Sequence, residues 1–328
     1  MQSWLVTKRG TFERRSLAGE ALPKGKVRVR VKYAGVGFAD VMAAKGHYIL
    51  APSFPFSPGY ELMGLVEESS EQEFPAGTRV IALLAHMGAF RSWVDIDPSR
   101  LVAIPDSISD EAAAQLPLNV TTAAALIEKS ARLESGSSFL IVGGSGGVGQ
   151  AALAWAKNRR LTAYATAAPH KADVIERWGG IPLDAHEDWP RQLRRLRPQG
   201  VDAAFDAFGP ASFQKSWAAL GSRGRLVAFG FSPTIEGGWS PFLKGLAYLG
   251  GKMLTGWPRQ VAACSAPRLS VTNNSWYRSI FTETFSAIKT GTFPLTEPEI
   301  VDETLVPEVF ERFARREVTR KILLTFSR

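Results

Sequence analysis

Hydrophobic and polar residues alternate strictly through Val27-Arg28-Val29-Arg30-Val31, the period of a strand that buries one face. A run at 62–67 follows Pro58-Gly59, and from residue 1 to about 117 short β-like runs are broken by turn residues, which predicts a mainly-β region. The rhythm changes between about 118 and 274. Apolar runs at 139–142, 162–165, 203–205 and 226–229 alternate there with helix-period stretches such as 150–157 and 171–178. Strands that are apolar throughout are buried on both faces, and their alternation with amphipathic helices predicts an α/β, doubly wound parallel sheet. From 275 onward, two helical runs at 280–289 and 308–316 precede a closing strand at 321–326. That stretch is too short to stand alone. It is expected to rejoin the first region, so that 1–117 and 275–328 form one domain around an inserted domain of 118–274. A chain of 328 residues has room for two such cores.

The turn after 139–142 carries the most specific chemistry. Phe139-Leu140-Ile141-Val142 runs directly into Gly143-Gly144-Ser145-Gly146-Gly147-Val148-Gly149 and then into the helical stretch opened by Gln150. Gly144, Gly146 and Gly149 satisfy the G-x-G-x-x-G fingerprint of a Rossmann dinucleotide-binding unit in the strand-to-helix context it requires. One glycine permits the tight turn, one lets the backbone approach a pyrophosphate, and one lets helix pack on strand. The pyrophosphate then rests on the helix N-terminus. Cofactor-binding residues are therefore expected at Gly144, Ser145, Gly146, Gly147, Val148 and Gly149. About 20 residues on, an acid would accept the ribose 2′-hydroxyl of NADH. The chain there reads Ala163-Tyr164-Ala165-Thr166-Ala167-Ala168-Pro169-His170-Lys171, with no acid. A 2′-phosphate meets no repulsion at such a place and finds Lys171 and the Thr166 hydroxyl, which favours NADPH. The competing account makes Lys171 an ordinary solvent-facing lysine at a helix start.

Composition narrows the partners. Lys and Arg total 39 against 31 Asp and Glu, a net +8, so an anionic partner is weighed. The densest cluster, Arg191, Arg194, Arg195 and Arg197, brackets Leu193 and Leu196 at helical spacing and reads as the solvated face of an amphipathic helix. No aromatic interleaving accompanies it, and no nucleic-acid partner is expected. The only cysteine is Cys264, which forbids an intrachain disulfide or a thiolate metal cage. The opening residues MQSWLVTKRG do not read as a signal peptide, and a cytoplasmic location is the default expectation. The stretch 241–257 is apolar but contains Lys244 and Lys252 and falls short of the roughly 20 residues a spanning helix needs. No membrane partner is expected, and burial of this stretch in a homodimer or a mobile flap is preferred.

Several motifs together resemble the medium-chain dehydrogenase/reductase superfamily, in its zinc-independent quinone oxidoreductase and enoyl reductase branch. They are Ala34-Gly35-Val36-Gly37-Phe38-Ala39-Asp40 with Lys45-Gly46-His47-Tyr48, Phe56-Ser57-Pro58-Gly59-Tyr60-Glu61, Thr121-Thr122-Ala123, Gly146-Gly147-Val148-Gly149, Val201-Asp202-Ala203-Ala204-Phe205-Asp206, and Gly224-Arg225-Leu226-Val227-Ala228-Phe229-Gly230. The resemblance implies a Rossmann sheet inserted in a mainly-β GroES-like catalytic domain. It places Tyr60 where zinc-dependent members carry a histidine ligand, and the cysteine positions of those members are empty. The histidines His47, His86, His170 and His186 have no metal-ligand spacing either, so no metal is expected. By the same likeness Tyr48 falls where enoyl reductases carry a proton-donating tyrosine; its plainer reading is a packing aromatic on a loop. Thr121 is implied to face the nicotinamide or its phosphates, Gly230 and Phe231 to line the nicotinamide amide, and Asn273 to lie near the ring on a later loop. Asp40 is expected to N-cap a helix, and Asp206 to be structural. Gly37 stands where quinone reductases usually carry asparagine.

Without a Lewis acid to polarise a saturated ketone or alcohol, the chemistry suits an acceptor that is already electrophilic. The expected function is NADPH-dependent reduction of a quinone or a conjugated enone or enoyl double bond in a small apolar molecule. Two alternatives remain open: an acyl-thioester enoyl reductase, and a non-catalytic, nucleotide-binding, membrane-associated relative.

Overall fold

In the computed structural model, which describes residues 2–16, 18–230 and 239–326, the chain divides into two units. The first is Met1–Thr121, Pro267–Thr290 and Leu295–Arg328, and the second is Thr122–Ala266 with Gly291–Pro294. Strands of the first are β1 (Gln2–Lys8), β2 (Thr11–Ser16), β3 (Val27–Gly35), β4 (Glu61–Ser69), β5 (Arg79–Leu83), β6 (Trp93–Ile96) and β7 (Leu101–Ala103). The second contributes β8 (Ser138–Val142), β9 (Thr162–Ala167), β10 (Ile181–Asp184), β11 (Val201–Asp206), β12 (Leu220–Ala228) and β13 (Gln260–Ala263). The chain then returns to the first with β14 (Glu299–Asp302) and β15 (Ile322–Thr325).

The alternation at 27–31 becomes β3, the middle of a sheet ordered β14-β15-β3-β4-β5-β7 with β6 also on β3. Its valines face the core, with Val27 and Val29 wholly buried. Arg28 pairs across to Asp95 on β6 through two bonds of 2.8 and 2.9 Å, and its guanidinium lies 3.9 Å from the centre of the Trp93 ring. A bidentate carboxylate partner and an aromatic face are what allow a nearly buried arginine in a sheet. β15 pairs antiparallel with the end of β3.

In the second unit all neighbouring strands are parallel, in the order β10-β9-β8-β11-β12-β13. Numbered from β8, this is the 3-2-1-4-5-6 order of a dinucleotide-binding sheet, in which the order of succession reverses between the first and fourth strands while all strands stay parallel. Leu140, Tyr164, Trp189, Leu193, Phe213, Trp217 and Leu226 pack in one core cluster of this unit. Neither the third nor the sixth strand is predicted by the hydrophobic pattern: β10 buries only Leu183, and β13 is short with exposed ends.

The strand-helix rhythm places 267–274 with the inserted sheet, whereas the structure assigns them to the first unit. They lead, through Asn273, into the helix Asn274–Lys289. That helix is anchored in the first unit: the Tyr277 hydroxyl accepts the Leu83 N–H at 2.9 Å, and Arg278 reaches Glu73 at 2.5 Å and the Pro98 carbonyl at 2.7 Å. The other boundary falls within the helix Leu116–Ala124, at Thr121. Among the described residues no helix is long and apolar enough to cross a membrane.

Candidate functional site

The glycine turn in the second unit is built by close approach. Gly143 has φ +80, a left-handed conformation that glycine adopts without strain. The turn is tied to β9 through its N–H groups, Gly143 donating to Thr166 Oγ1 at 3.0 Å and Gly144 to the Thr166 carbonyl at 2.9 Å. A Cβ on Gly144 would lie 2.4 Å from that of Ala165, and one on Gly149 would lie 2.5 Å from the Gly144 carbonyl oxygen. Both positions therefore exclude a side chain. Gly146 precedes the helix Gly147–Asn158, which has no side-chain cap and no acid in its first turn. Gly146 and Gly147 are exposed, and Ser145 and Val148 are half-buried beside them. An uncapped helix start with open N–H groups is an anion seat, so these residues fit a dinucleotide pyrophosphate.

The same geometry separates two glycine substitutions. Gly147→Asp should leave the fold intact, because the position is exposed, and should abolish nucleotide binding by placing a carboxylate against the pyrophosphate. Gly149→Ala should destabilise the chain, because the methyl group meets backbone. Nucleotide titration and thermal unfolding of both variants measure this; unchanged affinity in Gly147→Asp would refute the site.

β8 and β11 are neighbours at the point where strand order reverses, the place where ligands bind in open parallel sheets. Gly143 follows β8, and Phe208 lies two residues beyond β11. A Cβ on Gly143 would be 2.9 Å from the Phe208 ring, which remains 42% exposed. Phe208 is the residue that sequence reasoning missed. Its only signal is its position after a buried strand that ends in Asp206. Asp206 itself is structural: it accepts the Phe208 N–H at 2.7 Å and the hydroxyls of Ser212 and Ser216 at 2.6 Å each.

Thr166 is 2% exposed, and its Oγ1 accepts the Gly143 N–H, so it ties the turn to β9. Lys171 ends the 3-10 turn Pro169–Lys171 directly after β9 and is half-buried, with His170 exposed beside it. Gly230 follows β12, where a Cβ would lie 3.0 Å from that of Ala207, and Phe231 lies outside the described residues. Thr121 is wholly buried, and its Oγ1 has no hydrogen-bond partner among the described residues, a cost that a bound polar group would remove. Asn273 is not on a loop: it joins two helices, and its side-chain amide donates to Thr272 Oγ1 at 2.9 Å and to the Leu269 carbonyl at 3.4 Å. The second unit thus brings together the glycine turn, the end of β9 and Phe208, while Tyr48, Thr121 and Asn273 belong to the first unit.

The first unit holds a cluster of buried titratable side chains. Tyr48, shortly after the helix Phe38–Ala44, is half-buried and meets Tyr60 edge to face, with ring centres 6.3 Å apart at 83°. Burial pushes the Tyr48 phenol above its ordinary range, the neighbouring Tyr60 hydroxyl opposes that, and the charge of Asp40 adds to it. Tyr60 is 1% exposed, and burial raises its phenol much further. Asp40 is not the N-cap of its helix. Gly37 takes that place, and Asp40, three residues on, accepts the Gly37 and Gly59 N–H groups at 2.9 Å each. Burial raises its carboxyl to about 7, against the pull of those two bonds and of Lys321. Glu61, wholly buried, accepts the Leu118 N–H at 2.8 Å and pairs with Lys321, which also donates to the Val36 carbonyl at 3.0 Å.

Comparison with known proteins follows this division. Residues 23–106 match the alcohol dehydrogenase GroES-like domain, and residues 147–245 match the model described as zinc-binding dehydrogenase. The chain is 33% identical over 223 residues to the synaptic vesicle membrane protein VAT-1 homolog of Danio rerio, covering 66% of this chain and 46% of that one. It is 31% identical over 214 residues to quinone oxidoreductase-like protein 2 of Mus musculus, covering 63% and 61%. The chain spans about half the length of the first of these relatives. Its fold matches a crystal structure of Escherichia coli quinone oxidoreductase complexed with NADPH, with TM-score 0.87 at 24% identity over 99% of this chain and 100% of that one. Among the described residues no three His, Cys, Asp or Glu side chains gather to hold a metal, and Cys264 is the only cysteine.

Proposed function

Because the chain belongs to the medium-chain dehydrogenase/reductase family and is quinone oxidoreductase-like, we propose that it is an NADPH-dependent, zinc-independent reductase of quinones or conjugated C=C bonds in small apolar molecules. The observation that carries this reading is the glycine turn that excludes side chains at Gly144 and Gly149 and opens onto an uncapped helix start. When bound there, the nucleotide supplies a hydride. Gly146 and Gly147 would hold its pyrophosphate by backbone N–H groups, and Phe208 offers an exposed ring at the switch point. Tyr48 supplies the proton: a phenol is protonated at neutral pH and can pass its proton to an enolate, and burial, which raises it, makes it the weaker acid that only a basic enolate deprotonates. Among the described residues there is no ligand set for a Lewis acid, which suits a substrate that carries its own electrophilic carbon. Turnover confined to saturated alcohols or ketones would overturn this reading, and turnover confined to enoyl thioesters would favour the alternative, an acyl-thioester enoyl reductase.

The end of β9 has no acid and has Lys171 one turn on. NADPH should therefore bind more tightly than NADH by roughly 5- to 30-fold, the worth of one partly exposed lysine-phosphate pair, and Lys171→Glu should narrow or reverse the gap. Fluorescence titration of both nucleotides on both proteins checks this. Equal affinities in the wild type would place the phosphate elsewhere.

The helix Trp239–Thr255 and the residues after it leave Leu254 88% and Trp257 84% exposed. We assign this apolar surface to contact between two copies of the chain. The name of the VAT-1 relatives suggests a membrane surface instead, and co-sedimentation with liposomes separates the two.

A further inference from the structure

Resting on the reading of Tyr48 as the proton donor, we infer that Asp40 is a positioning residue for that reaction, its carboxylate joining the segment that carries Tyr48 to the turn that carries Tyr60. The joint is two-handed. Asp40 Oδ2 accepts the Gly37 N–H and Oδ1 the Gly59 N–H, each at 2.9 Å, and the residue has no exposed surface. Each bond leads to one ring by a short path. Gly37 caps the helix Phe38–Ala44. Beyond the far end of that helix, the Gly46 and His47 N–H groups return to the Ala43 and Met42 carbonyls at 2.9 Å each, which sets the direction of the chain into Tyr48. On the other side Gly59 has φ +94, and a Cβ there would lie 2.4 Å from the Phe90 ring, so a tightly packed turn presents its N–H. Tyr60 follows directly, its carbonyl accepting the Leu84 N–H at 2.7 Å. The two rings meet where these paths end, edge to face with centres 6.3 Å apart.

Proton delivery is the step that depends on this joint. Hydride addition to the conjugated acceptor leaves an enolate. The O–H bond of Tyr48 breaks, its proton forms a bond to the enolate, the electron pair stays on the Tyr48 oxygen, and water later returns the proton. A general acid acts only within hydrogen-bond reach of its acceptor, and a misplacement of about 1 Å caused away from the chemistry costs about 10²-fold. A buried carboxylate is costly unless its oxygens are bonded, and Asp40 has no ion-pair partner among the described residues, since nearby Lys321 pairs with Glu61. Its two charge-assisted bonds to backbone offset that cost, and they tie together the two segments whose rings must stay in register. The titratable groups facing it are Tyr48, Tyr60, Glu61 and Lys321. Its charge also opposes ionisation of Tyr48, so alignment and charge act on proton transfer in opposite directions; alignment prevails in this account.

Asp40→Asn keeps the shape and one acceptor oxygen but turns an NH2 group toward one of the two amides. In the chain without nucleotide or substrate, hydrogen exchange at the Gly37 or Gly59 amide should quicken by about 10- to 100-fold, the worth of a hydrogen bond to a charged group. With an enone, Asp40→Asn should lower kcat by about 10- to 100-fold, leave the KM for NADPH unchanged, and add nothing in a Tyr48→Phe background. Quinone turnover, which draws its proton from water, should change by less than about twofold. The wild-type chain supplies a check that needs no substitution. Burial raises the Asp40 carboxyl to about 7, so the Gly37 and Gly59 amide protons should move in NMR spectra with one shared midpoint as pH is varied. Separate or absent titrations, or unchanged exchange at both amides, would overturn the joint. A rise in enone kcat, or equal losses with enone and quinone, would overturn its role in proton delivery. Quickened exchange and a shared midpoint in a chain that turns over no acceptor would leave the joint standing and sink the reductase reading instead.

Discussion

Tyr48→Phe is expected to lower kcat with an enone or enoyl substrate by about 10² to 10⁴-fold, the usual contribution of a positioned general acid, while leaving NADPH affinity nearly unchanged. The asymmetry follows from where the residue sits. Tyr48 belongs to the first unit and the glycine turn to the second, and the substitution keeps the ring that packs on Tyr60. Only the proton is lost. A quinone leaves a stabilised oxyanion that takes its proton from water, so its loss should be much smaller than that of an enone. Steady-state kinetics on the two substrate classes, with nucleotide titration of each protein, provide the comparison. Equal and negligible losses would make Tyr48 a packing aromatic.

Lys321→Met should destabilise the chain by about 3 to 5 kcal/mol, the cost of stripping the partner from a buried charge. Glu61 has no exposed surface, and Lys321 is 10% exposed. The carboxylate is further hemmed in at Gly35, where a Cβ would lie 2.5 Å from Glu61 Oε1. Without the ammonium group, Glu61 keeps the Leu118 N–H but loses its counter-charge. Replacing both partners by methionine should recover much of the loss, since neutral packing replaces the buried pair, although the Leu118 N–H is then left without its acceptor. Denaturant unfolding of the two single variants and the double variant decides it. A Lys321→Met protein as stable as wild type would show that solvent reaches Glu61.

The glycine turn is legible from sequence because its logic is local: strand, turn and helix are contiguous, and each glycine serves contacts within a few residues or across one strand pair. Thr166 is not legible in that way. Its hydroxyl is captured by Gly143 only because β8 and β9 lie side by side, a fact of topology rather than of spacing. Asn273 is placed on a loop by the family likeness alone, and no residue pattern marks it as the single junction residue between two helices. Asp40 is displaced from the cap position by Gly37, whose missing side chain lets the acid reach back from the first turn. The Tyr48 and Tyr60 contact joins a turn to a strand start, and the sequence marks each tyrosine without marking the pair. The buried strands β8, β9, β11 and β12, by contrast, follow directly from apolar runs, whereas β10 buries only Leu183 and has no such run.

The most direct test of the central claim is NADPH oxidation by the purified chain in the presence of a metal chelator, against a panel of quinones, enones and enoyl thioesters. The account predicts that at least one class is reduced by two electrons per NADPH consumed, that chelation changes nothing, and that Gly147→Asp abolishes the signal. Tight NADPH binding with no oxidation by any of these acceptors, or activity that disappears with chelator and returns with zinc, would contradict it.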